Sequence, residues 1–231
     1  VLLTGVSKFS RVSIFSELNN LKDLTMHPRY NTLLGYTQKE LEYYFADRLD
    51  VLAPRFGGRE DLLIQIKQWY NGYNWDAEQY VYNPFSILSF FDQGRFRNFW
   101  FETGTPTFLV KLLERERFYN LDQIRVDEAV FSTFELDRID PNALLFQTGY
   151  ITILSNEDYP TYTLSYPNQE VRDSLLRYLL AEYSRGFASA VPVKVQQMKK
   201  MLEADKLWDF VQVLNSLFAS IPHQIFIADK E

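Results

Sequence analysis

The sequence predicts a mainly α-helical fold with small β elements, and three observations support this fold class. Apolar side chains recur every three or four residues along most of the chain, which is typical of amphipathic helices. Several of these runs begin at residues that cap helix N-termini. The short alternating patterns of strands lie together in one stretch, residues 150–166, which predicts a hairpin.

The composition predicts a globular chain with a sizeable core and excludes several kinds of site. Hydrophobic residues make up 46% of the 231 residues, and 4 Trp, 15 Tyr and 19 Phe supply many rings for cores and contact surfaces. The absence of cysteine excludes disulfides, thiolate metal sites and a cysteine nucleophile. The net charge of -6 argues against a chain built to neutralise phosphates. A chain without cysteine is compatible with secretion, but we expect a cytoplasmic location as the simpler default. We expect no membrane partner, because no stretch is long and apolar enough for a transmembrane helix.

Three segments follow one another, and the first covers residues 1–57. It opens with Val1-Leu2-Leu3-Thr4-Gly5, which predicts the end of a buried strand, and we interpret the chain as an internal part of a longer protein. Thr37 and Glu40 have the spacing of a capping box, in which each side chain accepts a hydrogen bond from the backbone amide of the other. A helix is predicted from there to Pro54, which ends it.

The second segment, residues 58–135, is predicted to be helical. One helix covers residues 61–70, and Asn71-Gly72 after it predicts a turn. Asn83-Pro84 predicts a helix start, because the asparagine can cap and proline suits the first helical position. Thr105-Pro106 opens a further helix by the same logic.

The third segment, residues 136–231, alternates helices and strands. A helix at 142–147 precedes the hairpin, and a polar turn at 155–160 is predicted between its two strands. A long amphipathic helix at 169–183 follows the hairpin. The order helix, hairpin, helix predicts a winged-helix-like module. Two further helices, at 192–204 and 206–219, complete the segment.

The strongest local candidate for a functional site is the run Thr4-Gly5-Val6-Ser7-Lys8. The chain contains no phosphate-binding loop, dinucleotide-binding glycine motif, HExxH zinc motif or GxSxG nucleophile motif. A buried strand that ends in small hydroxyl residues and a lysine would place polar groups at the carboxyl edge of a sheet, where ligands bind. The alternative is a capped turn that leads into a helix at residues 12–19.

Several phrases, in order along the chain, resemble a bacterial family of predicted AAA-ATPase-like proteins. They are Leu2-Leu3-Thr4-Gly5-Val6-Ser7-Lys8-Phe9-Ser10, Ile14-Phe15-Ser16-Glu17-Leu18-Asn19-Asn20-Leu21, Gly35-Tyr36-Thr37-Gln38-Lys39-Glu40-Leu41, Trp69-Tyr70-Asn71-Gly72-Tyr73, Tyr82-Asn83-Pro84-Phe85-Ser86, Gln147-Thr148-Gly149-Tyr150 and Tyr166-Pro167-Asn168-Gln169-Glu170-Val171-Arg172. They occur in family order and extend from Leu2 to Arg172. We interpret Tyr70, Gly72, Tyr73, Asn83 and Pro84 mainly as architecture, with aromatic packing around two turns.

The resemblance implies a P-loop ATPase core, then a helical lid and a winged-helix-like region, often followed by a nuclease-like domain of the PD-(D/E)xK type. On this basis residues 1–57 are the end of the ATPase core, 58–135 the lid and 136–231 the winged-helix-like module. The phosphate-loop lysine and the magnesium-binding acids would lie upstream of Val1, and the nuclease carboxylates beyond Glu231. ATP and Mg2+ would therefore be bound only by the longer protein, with the missing core as partner, and this chain alone is expected to be inactive.

The resemblance also implies the site residues. Thr4 and Ser7 are polar residues of the type found at the sensor-1 position, a catalytic position beside the γ-phosphate. Lys8 would add positive charge near the phosphates. Gly104 and Pro106 match the Gly-x-Pro element with which related lids approach adenine. They fit equally well a helix N-terminus with Pro106 at the first position.

Two other classes of function stay open. A non-enzymatic module would bind a protein or DNA through its winged-helix-like segment and its aromatic surfaces. DNA binding is the weaker of these, because Glu170 and Asp173 lie among the arginines of the long helix. A degenerate ATPase would keep the fold and lose turnover, and nothing in these residues separates it from an active one.

Overall fold

The structure is a computed structural model that describes residues 22–100, 113, 121–132, 140–183 and 190–219. Within these ranges the chain is mainly helical and carries a small three-stranded antiparallel sheet, which confirms the fold class at this level. The P-loop core, the winged-helix-like module and the division into three segments stay predictions. The chain forms two compact units, Val1–Leu176 and Arg177–Glu231.

The described helices of the first unit agree with most of the predicted ones. Short 3-10 helices lie at Pro28–Tyr30 and Ala53–Arg55. The α-helices are α1 Gln38–Tyr44, α2 Ala46–Leu52, α3 Arg59–Tyr70, α4 Pro84–Gln93, α5 Ala129–Ser132, α6 Pro141–Gln147 and the beginning of α7 Gln169–Tyr183, which continues into the second unit.

Phe45 divides the first predicted helix into α1 and α2. The capping box is confirmed, since Thr37 Oγ1 accepts from the Glu40 amide at 3.3 Å and the Glu40 carboxylate accepts from the Thr37 amide at 2.9 Å. At Phe45 the backbone leaves the helical region, with φ -112° and ψ 21°. Its ring stacks on Phe91, with the ring centroids 4.6 Å apart. Tertiary packing of this ring thus overrides the continuous helix that the apolar spacing predicts.

Aromatic rings fill the core between the helices of the first unit. The ring of Phe90 lies 4.6 Å from that of Phe96 and 5.8 Å from that of Tyr70, centroid to centroid. Tyr70 is buried, and its hydroxyl donates to the backbone carbonyl of Arg97 at 3.0 Å. Rings in such arrangements stabilise a core beyond the area that they bury, by about 0.5–1.5 kcal/mol per pair. The other buried members are Leu41, Leu49, Leu52, Ala53, Leu62, Ile66, Tyr82, Ile87, Phe91 and Phe99.

The predicted hairpin is confirmed as strands β2 and β3, and a further strand lies on its other side. β1 Ile124–Asp127, β2 Thr152–Asp158 and β3 Thr161–Ser165 form an antiparallel sheet in the order β1-β3-β2. The polar stretch at 155–160, predicted as a turn, is strand as far as Asp158, because pairing with β3 continues through two irregularities in register. β1 was not predicted, since only Val126 of its four residues is buried and no apolar alternation marks it.

The described part of the second unit contains the end of α7 and two further helices. These are α8 Ala190–Glu203 and α9 Leu207–Ala219, which pack against each other and confirm the two predicted helices to within two residues at each end. No helix in the described part of the chain has the length and apolar character needed to cross a membrane.

Candidate functional site

The five predicted site residues, Thr4, Ser7, Lys8, Gly104 and Pro106, lie outside the described part of the chain. Their roles therefore stay predictions, as do the strand that precedes Lys8 and the start of the helix at Pro106. The site that the structure describes is a junction between turns and helix starts of the first unit. We call it the motif junction and define it by the contacts of Gly72, Tyr73, Asn83, Gly149 and the turn at 167–170.

Gly72 brings the turn after α3 into contact with the turn before α7. Its φ is +112°, in a region that L side chains rarely adopt. A Cβ at this position would overlap the backbone carbonyl of Pro167. The side chain of Asn71 accepts from the Gly72 amide at 2.7 Å and so helps to hold the turn. Glycine is therefore required here for two reasons, the backbone conformation and the close approach of the other turn.

Tyr73 extends the motif junction toward the end of α6. A Cβ on Gly149 would lie 3.4 Å from Tyr73 Cε1, so the ring packs closely on the glycine that follows this helix. The Tyr73 hydroxyl is buried, and the side chains of Asn83 and Asn168 lie beside it. Burial, and to a lesser extent the charge of Glu170, raises the pKa of Tyr73 above its ordinary value. The phenol therefore stays protonated and acts as a packing group, and its buried hydroxyl has no hydrogen-bond partner among the described residues.

Asn83 and Asn168 are the N-cap residues of α4 and α7, so the motif junction holds two helix starts. Asn83 Oδ1 accepts from the amides of the second and third residues of α4, at 2.9 and 3.3 Å. Asn168 Oδ1 accepts from the amide of Val171 at 3.0 Å. An asparagine cap stabilises a helix start by about 1 kcal/mol relative to alanine. The predicted cap at Asn83 and the predicted first position of Pro84 are both confirmed.

Glu170 is the buried acid of the motif junction and is fully inaccessible to solvent. Its Oε2 accepts from the hydroxyl of Ser86 at 2.7 Å, and its Oε1 accepts from the backbone amide of Trp100 at 2.8 Å. Burial raises its pKa to about 7, although the hydrogen bonds from Trp100, Ser86 and Phe99 oppose the shift. The sequence interpretation treated Glu170 only as an acid that interrupts a row of arginines. The missed signal is an acid in the first turn of a helix, two residues after the capping asparagine and beside the apolar Val171.

A cavity of about 210 Å³ lies against the motif junction. Its lining includes the rings of Tyr73, Trp75 and Trp100 and the amide side chains of Asn74 and Gln147. None of the residues that line it is an aspartate, glutamate, histidine or lysine. The cavity can accept a small polar molecule, but its described lining offers no nucleophile beside a general base. The motif junction therefore positions helices and turns rather than presenting reactive groups.

A second groove, of about 470 Å³, lies at the start of α7. Arg172 lines it and lies 3.5 Å from the carboxylate of Asp122, to which the Ser165 hydroxyl also donates at 3.1 Å. Arg172 is paired with Asp122, and Asp173 also lines the groove. This groove therefore lacks the excess positive charge that phosphate binding needs. Elsewhere in the described residues, no group of three or more histidines, cysteines or acids could hold a metal ion.

Comparison with curated proteins identifies a relative of this chain. The chain is 43% identical over 227 residues to a protein of Azotobacter chroococcum mcd 1 that is described as "Uncharacterized protein in vnfD 5'region". The match covers 96% of this chain and 42% of the relative, so the chain spans less than half the length of the curated relative that it matches. No protein-family model and no solved structure matches the chain.

Proposed function

We propose that this chain is the lid and trailing part of a AAA-ATPase-like protein, and that it binds ATP only together with a nucleotide-binding core outside the chain. The observation that supports the proposal is the motif junction. Four of the segments that resemble the family, spread over residues 69–172, contact one another there. Chance resemblances have no reason to converge in space, whereas an inherited arrangement of turns and helix starts does.

In this proposal the chain contributes two kinds of residue. Thr4 and Ser7 sense the γ-phosphate and orient water, and Lys8 adds positive charge near the phosphates. Gly104 and Pro106 approach the adenine. The residues of the motif junction fix the lid helices, so that nucleotide binding to the core can close the lid as one body. ATP and Mg2+ are held mainly by the core. A nuclease-like domain after the chain would respond to the movement of the lid.

The test uses the longer protein that contains this chain and its upstream core. We expect Thr4→Ala and Ser7→Ala to lower the rate of ATP hydrolysis by about tenfold or more, because a polar group beside the transferred phosphoryl is lost. The melting temperature should not change. ATP turnover is measured with a phosphate-release assay at saturating ATP.

The matched control is Thr25→Ala, which removes an exposed hydroxyl in a turn and should leave turnover unchanged. Unchanged turnover in both the Thr4 and the Ser7 variants would refute the sensor role. A longer protein without any ATP turnover would instead favour a degenerate ATPase.

A second candidate function, a module that binds another protein, is favoured by the surface of α8 and α9. Trp208 is 73% exposed, and further apolar side chains of these helices are also exposed, namely Val193, Val195, Leu202, Leu207 and Val211. Apolar side chains gathered on one helix pair suit a protein partner better than DNA. A salt-dependent mobility shift on duplex DNA would contradict this preference for a protein partner. No shift at low salt would exclude DNA binding by the module.

A further inference from the structure

The cavity beside the motif junction has a wall that is fixed by hydrogen bonds. The Asn74 amide donates to Thr152 Oγ1 at 2.8 Å, and Thr152 Oγ1 donates to the Asn74 carbonyl at 3.0 Å, so the turn after α3 is tied to β2. Asn74 Oδ1 accepts from the amides of Asp76 and Ala77, at 3.0 and 2.9 Å, which holds this turn from within. The cavity is therefore preformed, as ligand sites usually are.

Aromatic rings form the apolar part of the lining. Tyr73 and Trp75 lie with their ring planes 20° apart and their centroids 6.5 Å apart. Trp100 packs edge-to-face on Tyr150, with 5.0 Å between the centroids, and its backbone amide donates to Glu170 Oε1 at 2.8 Å. Because the face of an aromatic ring is electron-rich, it attracts C–H groups. The rings therefore suit a ligand that has an apolar face of C–H groups.

Amide side chains form the polar part of the lining and come from three segments. Asn74 follows α3, Asn83 precedes α4, and Gln147 ends α6. Asn74 is 1% exposed, and its Nδ2 has no hydrogen-bond acceptor among the described residues. A buried donor without an acceptor is unfavourable, and a ligand oxygen would satisfy it.

The charge and the size of the cavity narrow the class of ligand. None of its described lining residues is charged, so an ionic ligand would lose its hydration without gaining a counter-charge. Its volume of about 210 Å³ suits a single ring, since sites for drug-sized molecules measure about 300–1,000 Å³. A flat heterocycle carries its donors and acceptors in one plane, whereas a sugar ring carries hydroxyl groups around its whole edge. Hydroxyl groups both donate to and accept from amides, which here approach from three segments.

We propose that this cavity binds an uncharged six-membered sugar ring, with its C–H face on the aromatic rings and its hydroxyl groups on the amide side chains. One hydroxyl oxygen accepts from Asn74 Nδ2 and supplies the partner that this donor lacks. The residues that carry the site all belong to the first unit, so sugar binding needs no nucleotide-binding core. It is a function beyond the proposed binding of ATP by the longer protein.

Nuclear magnetic resonance on the 231-residue chain tests the site, because the 4 tryptophans divide into two pairs. Trp75 and Trp100 line the cavity, whereas Trp69 and Trp208 lie outside its described lining. The probes are the methyl glycosides of glucose, galactose, mannose and N-acetylglucosamine. We expect at least one of them to shift the indole resonances of Trp75 and Trp100, with millimolar or tighter affinity, and to leave those of Trp69 and Trp208 in place.

Asn74→Asp should weaken this binding by about tenfold or more, because the new carboxylate cannot donate to the sugar. It can still accept from the amides of Asp76 and Ala77, so the turn is retained. Gln93→Glu is the matched control, since it makes the same change of amide to carboxylate at an exposed position outside the described lining. It should leave the affinity unchanged.

The proposal is wrong if none of the glycosides, at about 50 mM, moves the Trp75 and Trp100 resonances, or if all the indoles move alike. It is also wrong if Asn74→Asp binds as tightly as Gln93→Glu. A shift of Trp75 and Trp100 by adenosine and by none of the glycosides would overturn it in favour of a flat heterocycle. Should Asn74→Asp fail to fold, the titration of the unaltered chain still decides the question.

Discussion

The two units of the chain differ in how they use apolar side chains. In Val1–Leu176, rings such as those of Tyr70 and Phe90 are buried in a core, and the motif junction is enclosed beside them. In Arg177–Glu231, Leu179 is the only buried residue among those whose side chains the structure describes. The first unit therefore has the internal contacts of an independent folding unit, whereas the described helices α8 and α9 leave much of their apolar surface exposed.

This difference indicates which substitutions should change the stability of the chain and which should change only its association with a partner. In the first unit, stability should depend on close contacts that tolerate no added atoms and on buried polar groups that need every partner. In the second unit, single exposed apolar side chains should be replaceable without loss of stability. If they matter at all, the effect should appear in association with a partner.

The largest effect is expected for Gly72→Ala, which should lower the free energy of unfolding by about 4 kcal/mol or more. The new Cβ would overlap the Pro167 carbonyl, and the positive φ would be strained in addition. Chemical denaturation measures the change. Gly58→Ala is the control, because its φ is +125° but no atom lies within 4 Å of the new Cβ. It should cost only the strain, about 1–3 kcal/mol, and an equal cost at both positions would contradict the close contact.

A pair of aromatic truncations compares the two units directly. Phe90→Ala, in the core of the first unit, should lower the free energy of unfolding by about 3–5 kcal/mol. Trp208→Ala, on the exposed face of α9, should change it by less than about 0.5 kcal/mol. Both values come from urea denaturation followed by far-UV circular dichroism. A large loss for Trp208→Ala would show that this ring is covered in solution.

The pH dependence of stability should come from the first unit. Glu170 has a folded pKa of about 7 against an ordinary value of 4.5, so the folded state retains the proton more strongly than the unfolded state. The free energy of unfolding should therefore fall as the pH rises, by about 2–3 kcal/mol between pH 5 and pH 8. Glu170→Gln should remove this slope, and denaturation midpoints at several pH values measure it. A free energy of unfolding that rises with pH through this range would contradict the raised pKa of Glu170.

A smaller loss than those in the core is expected at the helix start of α4. Asn83→Ala should lower the free energy of unfolding by about 1 kcal/mol, because two amides of the first turn lose their acceptor. Asn83→Asp restores an acceptor and should recover most of the loss. Thermal denaturation of the three proteins resolves the difference, and an alanine variant as stable as the unaltered chain would show that water replaces the cap.

The elements that could be predicted from the sequence are those whose hydrogen bonds are local. The capping box of Thr37 and Glu40 and the cap at Asn83 join residues no more than three positions apart, so the residue types alone predict them. The hairpin and the long helix α7 have periodic patterns over enough residues to be recognised. Composition and pattern therefore predicted the mainly α fold class.

What could not be predicted depends on contacts between distant residues. Glu170 is defined by Ser86 and Trp100, which no local pattern connects to it. The break at Phe45 follows from its stacking on Phe91, and β1 follows from pairing with β3 rather than from its own pattern. The proposed sensor and adenine positions, Thr4, Ser7, Lys8, Gly104 and Pro106, remain predictions outside the described residues.

A calorimetric titration of ATP, in the presence of Mg2+, tests the central claim most directly. It is carried out on this 231-residue chain and on a longer protein that includes the proposed nucleotide-binding core. The account predicts micromolar binding by the longer protein and no binding in that range by the chain alone. Micromolar binding by the chain alone would contradict the proposal that ATP needs a core outside it. The absence of binding by both proteins would contradict the proposed ATPase function itself.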